Sequence, residues 1–224
     1  MVLQGQDGSA IVVVPQYQCR VMTSTVDAAT GAGFGWINFD LIKADKQLPH
    51  ITPYGGEERF WLGPEGGQFS IFFSNGTPFD LKHWQTPRLI DTDPFALVRS
   101  GEDFIECIAE GELTNYSGFT FRIQVNRRID LLQRATVECL LNVSISPKVR
   151  SVSYRSVNSL MNTGEVQWTE QSGALSIWML GMFKHSPSTT VILPYVSSSD
   201  LSHLPIVNDE YFGKVPSDRL RIQA

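Results

Sequence analysis

Apolar and polar residues alternate with a period of two along Phe119-Thr120-Phe121-Arg122-Ile123-Gln124-Val125-Asn126. Successive side chains of a strand point to opposite faces, so Phe119, Phe121, Ile123 and Val125 are expected to face a core. Thr120, Arg122, Gln124 and Asn126 are then left toward solvent or a groove, the pattern of a half-buried antiparallel strand. Runs rich in Val, Ile, Thr and aromatics recur along the whole chain, at 11–14, 18–24, 35–42, 68–73, 104–113, 119–132, 135–145, 149–160, 174–183 and 189–195. Turn formers such as Asn75-Gly76, Ser117-Gly118 and Ser172-Gly173 separate them, and each run reads as a strand.

No segment fits the i, i+3, i+4 template of an amphipathic helix for more than about two turns. Pro94–Val98 and Ser197–Leu204 are the best short candidates. Strands that do not alternate with helices disfavour a parallel sheet, so the expected fold is all-β, a large antiparallel β-sandwich forming one domain over residues 1–224. No repeat or long linker interrupts it. The Gly/Pro-rich stretch 48–67 carries Phe60, Trp61 and Leu62, too much apolar surface for a flexible linker, and is expected to be an ordered loop packed on the sheet. The alternation of Arg219–Gln223 without a closing turn suggests a domain incomplete at its C-terminus.

Composition narrows the partners. The chain has 18 basic and 23 acidic residues and a net charge of -5. That balance, with Arg127-Arg128 the densest basic spot, excludes nucleic acid as an expected partner, because counterion release needs a clustered basic surface. The Arg pair reads as one arginine on each face of a strand. No run approaches the ~18 apolar residues of a membrane helix, so no membrane span is expected. Met1–Gly5 lacks the regions of a signal peptide, which leaves the cytoplasm, or the periplasm or exterior if an export signal has been removed.

Cys19, Cys107 and Cys139 are too scattered for a disulfide framework or zinc site and read as small buried hydrophobes. His50, His83, His185 and His203 show no metal-ligand spacing, so neither a metal nor another cofactor is expected. Nucleophile-elbow and nucleotide-binding motifs are also missing from the sequence.

The segment most suggestive of chemistry is Tyr54–Gln68, with three carboxylates, one arginine, three aromatic rings and five glycines. Glycines let backbone approach a ligand, carboxylates exchange protons, and aromatic faces stack on sugar rings. In extended backbone, Glu57, Arg59 and Trp61 share one face, and Glu58, Phe60 and Leu62 the other. The first set, with Glu65 nearby, is the expected ligand face. The same residues also read as packing, with a glutamate paired to Arg59 and Phe60 and Trp61 plugging the end of a sandwich. Outside the segment, His83 beside Trp84 and His185 after the run 174–183 are the better histidines for polar work.

Gly35-Trp36-Ile37-Asn38, Gly55–Gln68, Phe69–Phe73, Leu113–Gly118, Val157–Gly164 and Leu175–Phe183 together resemble an uncharacterised bacterial family placed with the galactose-mutarotase-like sandwiches. The resemblance implies an antiparallel supersandwich whose concave face holds a mono- or oligosaccharide. It also makes Asn158 a candidate for orienting hydroxyls, since Asn158 and Asn162 match the aldose-epimerase segment that begins with an Asn-His pair. Ser159 stands where that histidine would act as acid, and a serine hydroxyl cannot replace imidazole in that role near neutral pH.

The expected function is therefore carbohydrate interaction, with or without catalysis of an epimerase, hydrolase or lyase type. Proton transfer would fall to Glu57 or Glu58 and His83 or His185. Arg59, Glu65 and Asn158 would bind hydroxyls, and Trp61 or Trp178 would stack. A homo-oligomer is compatible with this reading. The competing expectation is a non-catalytic structural or assembly protein that uses the Gly55–Gly67 loop as an interface with aromatic anchors.

Overall fold

The segment Phe119–Asn126 leads into the longest described strand of the computed structural model, which describes residues 1–193 and the backbone of 221–223. Two compact units are present, Met1–Phe183 and Lys184–Ala224. The first contains β1 (Val2–Gln4), β2 (Ala10–Val14), a 3₁₀ turn (Pro15–Tyr17), β3 (Arg20–Thr25), α1 (Phe39–Ala44), β4 (Arg59–Gly63) and α2 (Arg88–Asp91). It continues with β5 (Ala96–Ser100), β6 (Phe104–Thr114), β7 (Thr120–Leu132), α3 (Arg134–Leu141), β8 (Ser153–Asn162) and β9 (Ser176–Leu180). In the second unit, β10 (Thr190–Ile192) pairs antiparallel with β11 (Arg221–Gln223).

Strands β5, β6, β7 and β8 form an antiparallel meander, in which Cys107 is opposite Arg127 and Arg127 opposite Asn158. Its β6–β7 hairpin turns at Gly118, which takes φ +88° and so suits glycine. Strands β1, β2 and β3 form a second antiparallel sheet, and β4 pairs antiparallel with β9. The chain is thus mostly β with antiparallel sheets, as the alternation predicted. Phe121, Ile123, Val125 and Ile129 of β7 are buried in one apolar core with Ile11, Val13 and Val21 of the β1–β3 sheet. Removing this area from water is the main stabilising term of such a unit. Phe119, at the hairpin, is only partly buried against that core.

Several expected elements differ. Over 35–42 the chain makes only the bridges Gly35 to Phe183 and Ile37 to Gly55, and then turns into α1. Asn38 causes the change: its side-chain oxygen accepts the Leu41 N–H at 3.1 Å, an N-cap that satisfies a helix-end donor. The run 135–145 is likewise not a strand. It forms α3, whose helix formers Ala135, Glu138, Leu140 and Leu141 outweigh its β-branched residues. Residues 68–73 are irregular, yet Ile71, Phe72 and Phe73 are buried. Pro94–Val98 is not helical, since Ala96–Ser100 is β5. The short helix expected at Ser197–Leu204 lies outside the described residues. Cys19 and Cys107 are buried as expected, whereas Cys139 is exposed on α3.

Candidate functional site

Two glycines bring the Tyr54–Gly63 segment into the interior. Gly55 and Gly56 have φ of +89° and +112°, backbone that residues with a Cβ adopt only under strain. A Cβ on Gly55 would lie 2.2 Å from the Trp36 carbonyl oxygen, and one on Gly56 would lie 2.7 Å from Arg20 Cδ. The next residue pair, Glu57-Glu58, is fixed by backbone hydrogen bonds in both directions between Glu58 and Val21, each 3.2 Å. Strand β4 then runs between its partner β9 and the core, and every residue from Gly55 to Gly63 is buried.

This burial brings six charged groups into a connected interior. Arg20, Arg59 and Arg127 are 0%, 1% and 0% exposed, and Glu57, Glu58 and Asp91 are also buried. Arg127 donates Nη2 to Glu58 Oε2, Nε to Asn158 Oδ1 at 2.9 Å and Nη1 to the Gln18 carbonyl at 3.0 Å. Arg59 donates Nη2 to Asp91 Oδ1 at 2.7 Å and to the Ile90 carbonyl at 3.1 Å. Among the described residues Arg20 finds only neutral acceptors, Gly55 O and Gln18 Oε1 at 2.8 Å and Tyr17 O at 3.3 Å. Burial and the like charges of Arg59 and Arg127 pull its pKa well below the ordinary arginine value.

Glu57 is held on one oxygen by the Ser24 N–H at 2.5 Å and the Ser24 hydroxyl at 3.0 Å, and on the other by the Tyr154 hydroxyl at 3.4 Å. Burial, with the Glu57 and Glu58 charges, raises the pKa of Tyr154, keeping it a neutral donor. Glu58 is different. Its Oε1 is buried and has no hydrogen-bond donor among the described residues, and Arg59 Nε and Thr52 Oγ1 are likewise unmatched. An unmatched buried carboxylate oxygen is costly, and it is the feature of this interior that most invites an external donor. Tyr154, Ser156 and Asn158 alternate on β8 as half-buried residues, and Asn158 is joined to Glu58 through Arg127.

A family model described as a family of unknown function, DUF6786, matches residues 1–224. The chain belongs to that family. No curated protein and no solved structure matches it.

In this DUF6786 chain, Glu57, Glu58, Arg59 and Trp61 lie in one buried segment, and Asn158 joins them through Arg127. The expected division of that segment into a ligand face and a core face is not seen, because both faces are covered. Trp61 is 1% exposed; the Arg59 guanidinium lies 4.4 Å from its ring centroid, and its indole N–H donates to Glu65 at 2.8 Å. Its ring is therefore not open for stacking, and Glu65 serves as its acceptor. Trp178, opposite Trp61 on β9, is 43% exposed and keeps an accessible face. His83 sits outside the cluster, bonded to Asp80 at 2.6 Å. His185 is an exposed residue of the second unit. Ser159 is exposed, alternating with the half-buried Asn158.

Arg20, Asp91 and Tyr154 were not among the expected site residues, nor was Arg127, although the reading of Arg127-Arg128 as one arginine on each face of a strand holds, with Arg127 buried and Arg128 partly exposed. A signal for Arg127 existed: continuing the period of two from Val125 puts Arg127 on the core face and Arg128 outside. Arg128 indeed pairs with Asp130 at 2.7 Å on a partly exposed face. Asp91 carried no such signal, because its role depends on a hydrogen bond to Arg59 from 32 positions away.

Proposed function

We propose that this DUF6786 chain is a carbohydrate-binding protein of the galactose-mutarotase-like sandwich type, with Glu58 as the group that receives a sugar hydroxyl. The observation that carries the reading is the buried Glu58 Oε1 without a donor among the described residues, in the interior where Arg127 joins Glu58 to Asn158 and the Glu58 charge acts on Tyr154. A polyol supplies several hydroxyl donors and acceptors at once. It can satisfy a carboxylate, a phenol and an amide together, where an apolar ligand would leave all three unpaired. On this reading the ligand enters from the β8 side.

Binding is favoured over catalysis, because His83 is bonded to Asp80 outside the carboxylate cluster and Glu57 is engaged by Ser24 and Tyr154. The interface reading loses its anchors, since Phe60 and Trp61 are buried.

The test is a thermal-shift screen against mono- and oligosaccharides on the wild type, Glu58→Gln and Glu65→Gln. A ligand at 100 times its dissociation constant stabilises by about 2.7 kcal/mol. That stabilisation is expected to vanish in Glu58→Gln and persist in Glu65→Gln, with circular dichroism confirming both folds. A wild type that no sugar stabilises, or a Glu58→Gln protein stabilised as much as the wild type, would overturn the reading.

A further inference from the structure

Strand β8 stops short of the hairpin that feeds β7. Its last residue, Asn162, is opposite Ile123, so Thr120 and Arg122 have a strand partner only on the β6 side, where they face Thr114 and Glu112. Just past the end of β8, the Thr163 N–H donates to the Arg122 carbonyl at 2.9 Å. Hydrogen-bonding direction alternates along a strand. Thr120, two residues before Arg122, therefore turns its N–H and C=O to the same side as Arg122 does, at a level where β8 has already ended.

A cavity of about 150 Å³ occupies this place, lined by Phe119, Thr120, Arg122, Glu165, Trp168 and part of the 162–166 turn. Its aromatic wall is fixed. The rings of Phe119 and Trp168 both pack edge-on against the buried Phe121, with centroids 4.9 and 5.3 Å from it. The turn is also held: Asn162 accepts the Gly164 N–H at 3.0 Å and donates to the Val166 carbonyl at 2.8 Å.

The polar groups of the lining are less well matched. Trp168 has a buried indole N–H with no acceptor among the described residues, and an unmatched donor of this kind is costly. Arg122 uses Nε on Glu112 at 2.9 Å. Its Nη groups and the Glu165 carboxylate are bonded to none of the described residues. The cavity thus offers donors from Trp168, Arg122 and the Thr120 N–H, and acceptors from Glu165 and the Thr120 carbonyl.

These features select a ligand class. The charges of Arg122 and Glu165 cancel, which favours neither an anion nor a cation. Mixed donors and acceptors suit hydroxyl groups, since each hydroxyl can both donate and accept. The aromatic wall suits an apolar C–H face, and a cavity of about 150 Å³ has room for one six-membered ring. We propose that this cavity is a second ligand site, which takes a single neutral sugar ring. It shares no residue with the Glu58 interior and does not depend on it.

The experiment uses the full chain, isotope-labelled at its five tryptophans, and follows their indole N–H resonances by NMR. Trp168→Phe identifies the Trp168 resonance, and through-bond assignment does so if that variant does not fold. The protein is titrated with the methyl glycosides of glucose, galactose, mannose and N-acetylglucosamine, and with cyclohexanol as a ring that has only one hydroxyl. At least one glycoside is expected to shift the Trp168 resonance saturably, and cyclohexanol to leave it in place. Arg122→Ala and Glu165→Ala change exposed side chains and should each weaken binding about tenfold, the value of a hydrogen bond to a charged group. The same titration should be unaltered in Glu58→Gln. A Trp168 resonance that no glycoside shifts, an equal response to cyclohexanol, or full affinity in both alanine variants would each overturn the proposal. A shift that disappears in Glu58→Gln would place the sugar in the Glu58 interior instead, overturning this site and leaving the first reading intact.

Discussion

Arg127, on β7, donates to Glu58, just ahead of β4, in the interior of the first unit, and the two residues are 69 positions apart. A buried ion pair gains little over a well-packed apolar pair, but losing one partner strands the other charge at a cost of about 3–5 kcal/mol. Arg127→Leu is therefore expected to destabilise by about that amount, and Glu58→Leu by a similar one. The double variant should recover a large part of the loss, because neither charge is left alone. Urea unfolding of the four proteins measures this. Single costs that simply add would show that the pair does not act as a unit.

The two glycines ahead of the pair should be far less replaceable than Gly66, beyond β4. Gly56→Ala forces a Cβ to 2.7 Å from Arg20 Cδ at a φ of +112°, and strain of this kind costs on the order of 1–3 kcal/mol. Gly66→Ala meets nothing within 4 Å, so its effect should stay within about 0.5 kcal/mol. Thermal melts compare them directly, and equal losses at the two positions would show that the approach of Arg20 does not constrain Gly56.

These glycines also show how far the chain could be read. The period of two in Phe119–Asn126 located β7 and its core face, since a strand with one buried side writes its register into the sequence. The glycines and charges of Tyr54–Gln68 rightly marked an unusual segment, but their local pattern could not tell a ligand loop from a buried strand. What decides is coverage on both faces, of Arg59 and Trp61 by Asp91 and Phe72 and of Phe60 by Phe95 and Arg127, while β9 pairs along the strand's edge from more than a hundred positions away. Asn38 and the Ala-Glu-Leu content of 135–141 were local helix signals that the β-rich surroundings obscured. Asp91 and Arg20 became legible only once the chain had folded, because each is matched by groups distant in sequence.

Asp91 and Asp93 offer a contrast between a buried and an exposed ion pair two residues apart. Asp91 accepts Arg59 Nη2 at 2.7 Å and the Thr52 N–H at 3.0 and 3.1 Å on its two oxygens. Asp91→Asn leaves the Arg59 guanidinium buried without a carboxylate, and a loss of about 3–5 kcal/mol is expected. Asp93 pairs with Arg88 at 2.9 Å where the arginine side chain is 73% exposed, so Asp93→Asn should cost less than about 1 kcal/mol. Denaturant midpoints resolve the difference. Similar shifts for both would mean that solvent screens the Arg59–Asp91 pair as it does the surface one.

Asp27 gives the expected acid sensitivity. Its carboxylate accepts the Thr30 hydroxyl at 2.6 Å, the Thr30 and Ala29 N–H groups at 3.2 and 3.1 Å, and lies 3.2 Å from Arg150. These donors, Thr30 foremost, lower its pKa from 3.8 to about 2. A folded-state pKa below the unfolded value means that the unfolded chain takes up the proton first. The stability contributed by Asp27 is then fully present above the unfolded value of 3.8 and is lost as pH falls through about 2. Asp27→Asn should lower the melting temperature near neutrality, and the gap to the wild type should narrow steadily as the pH drops from about 4 to about 2. A gap that stays constant over that range would mean that the Asn side chain loses only geometry, and that the charge of Asp27 contributes nothing to holding the 27–30 turn.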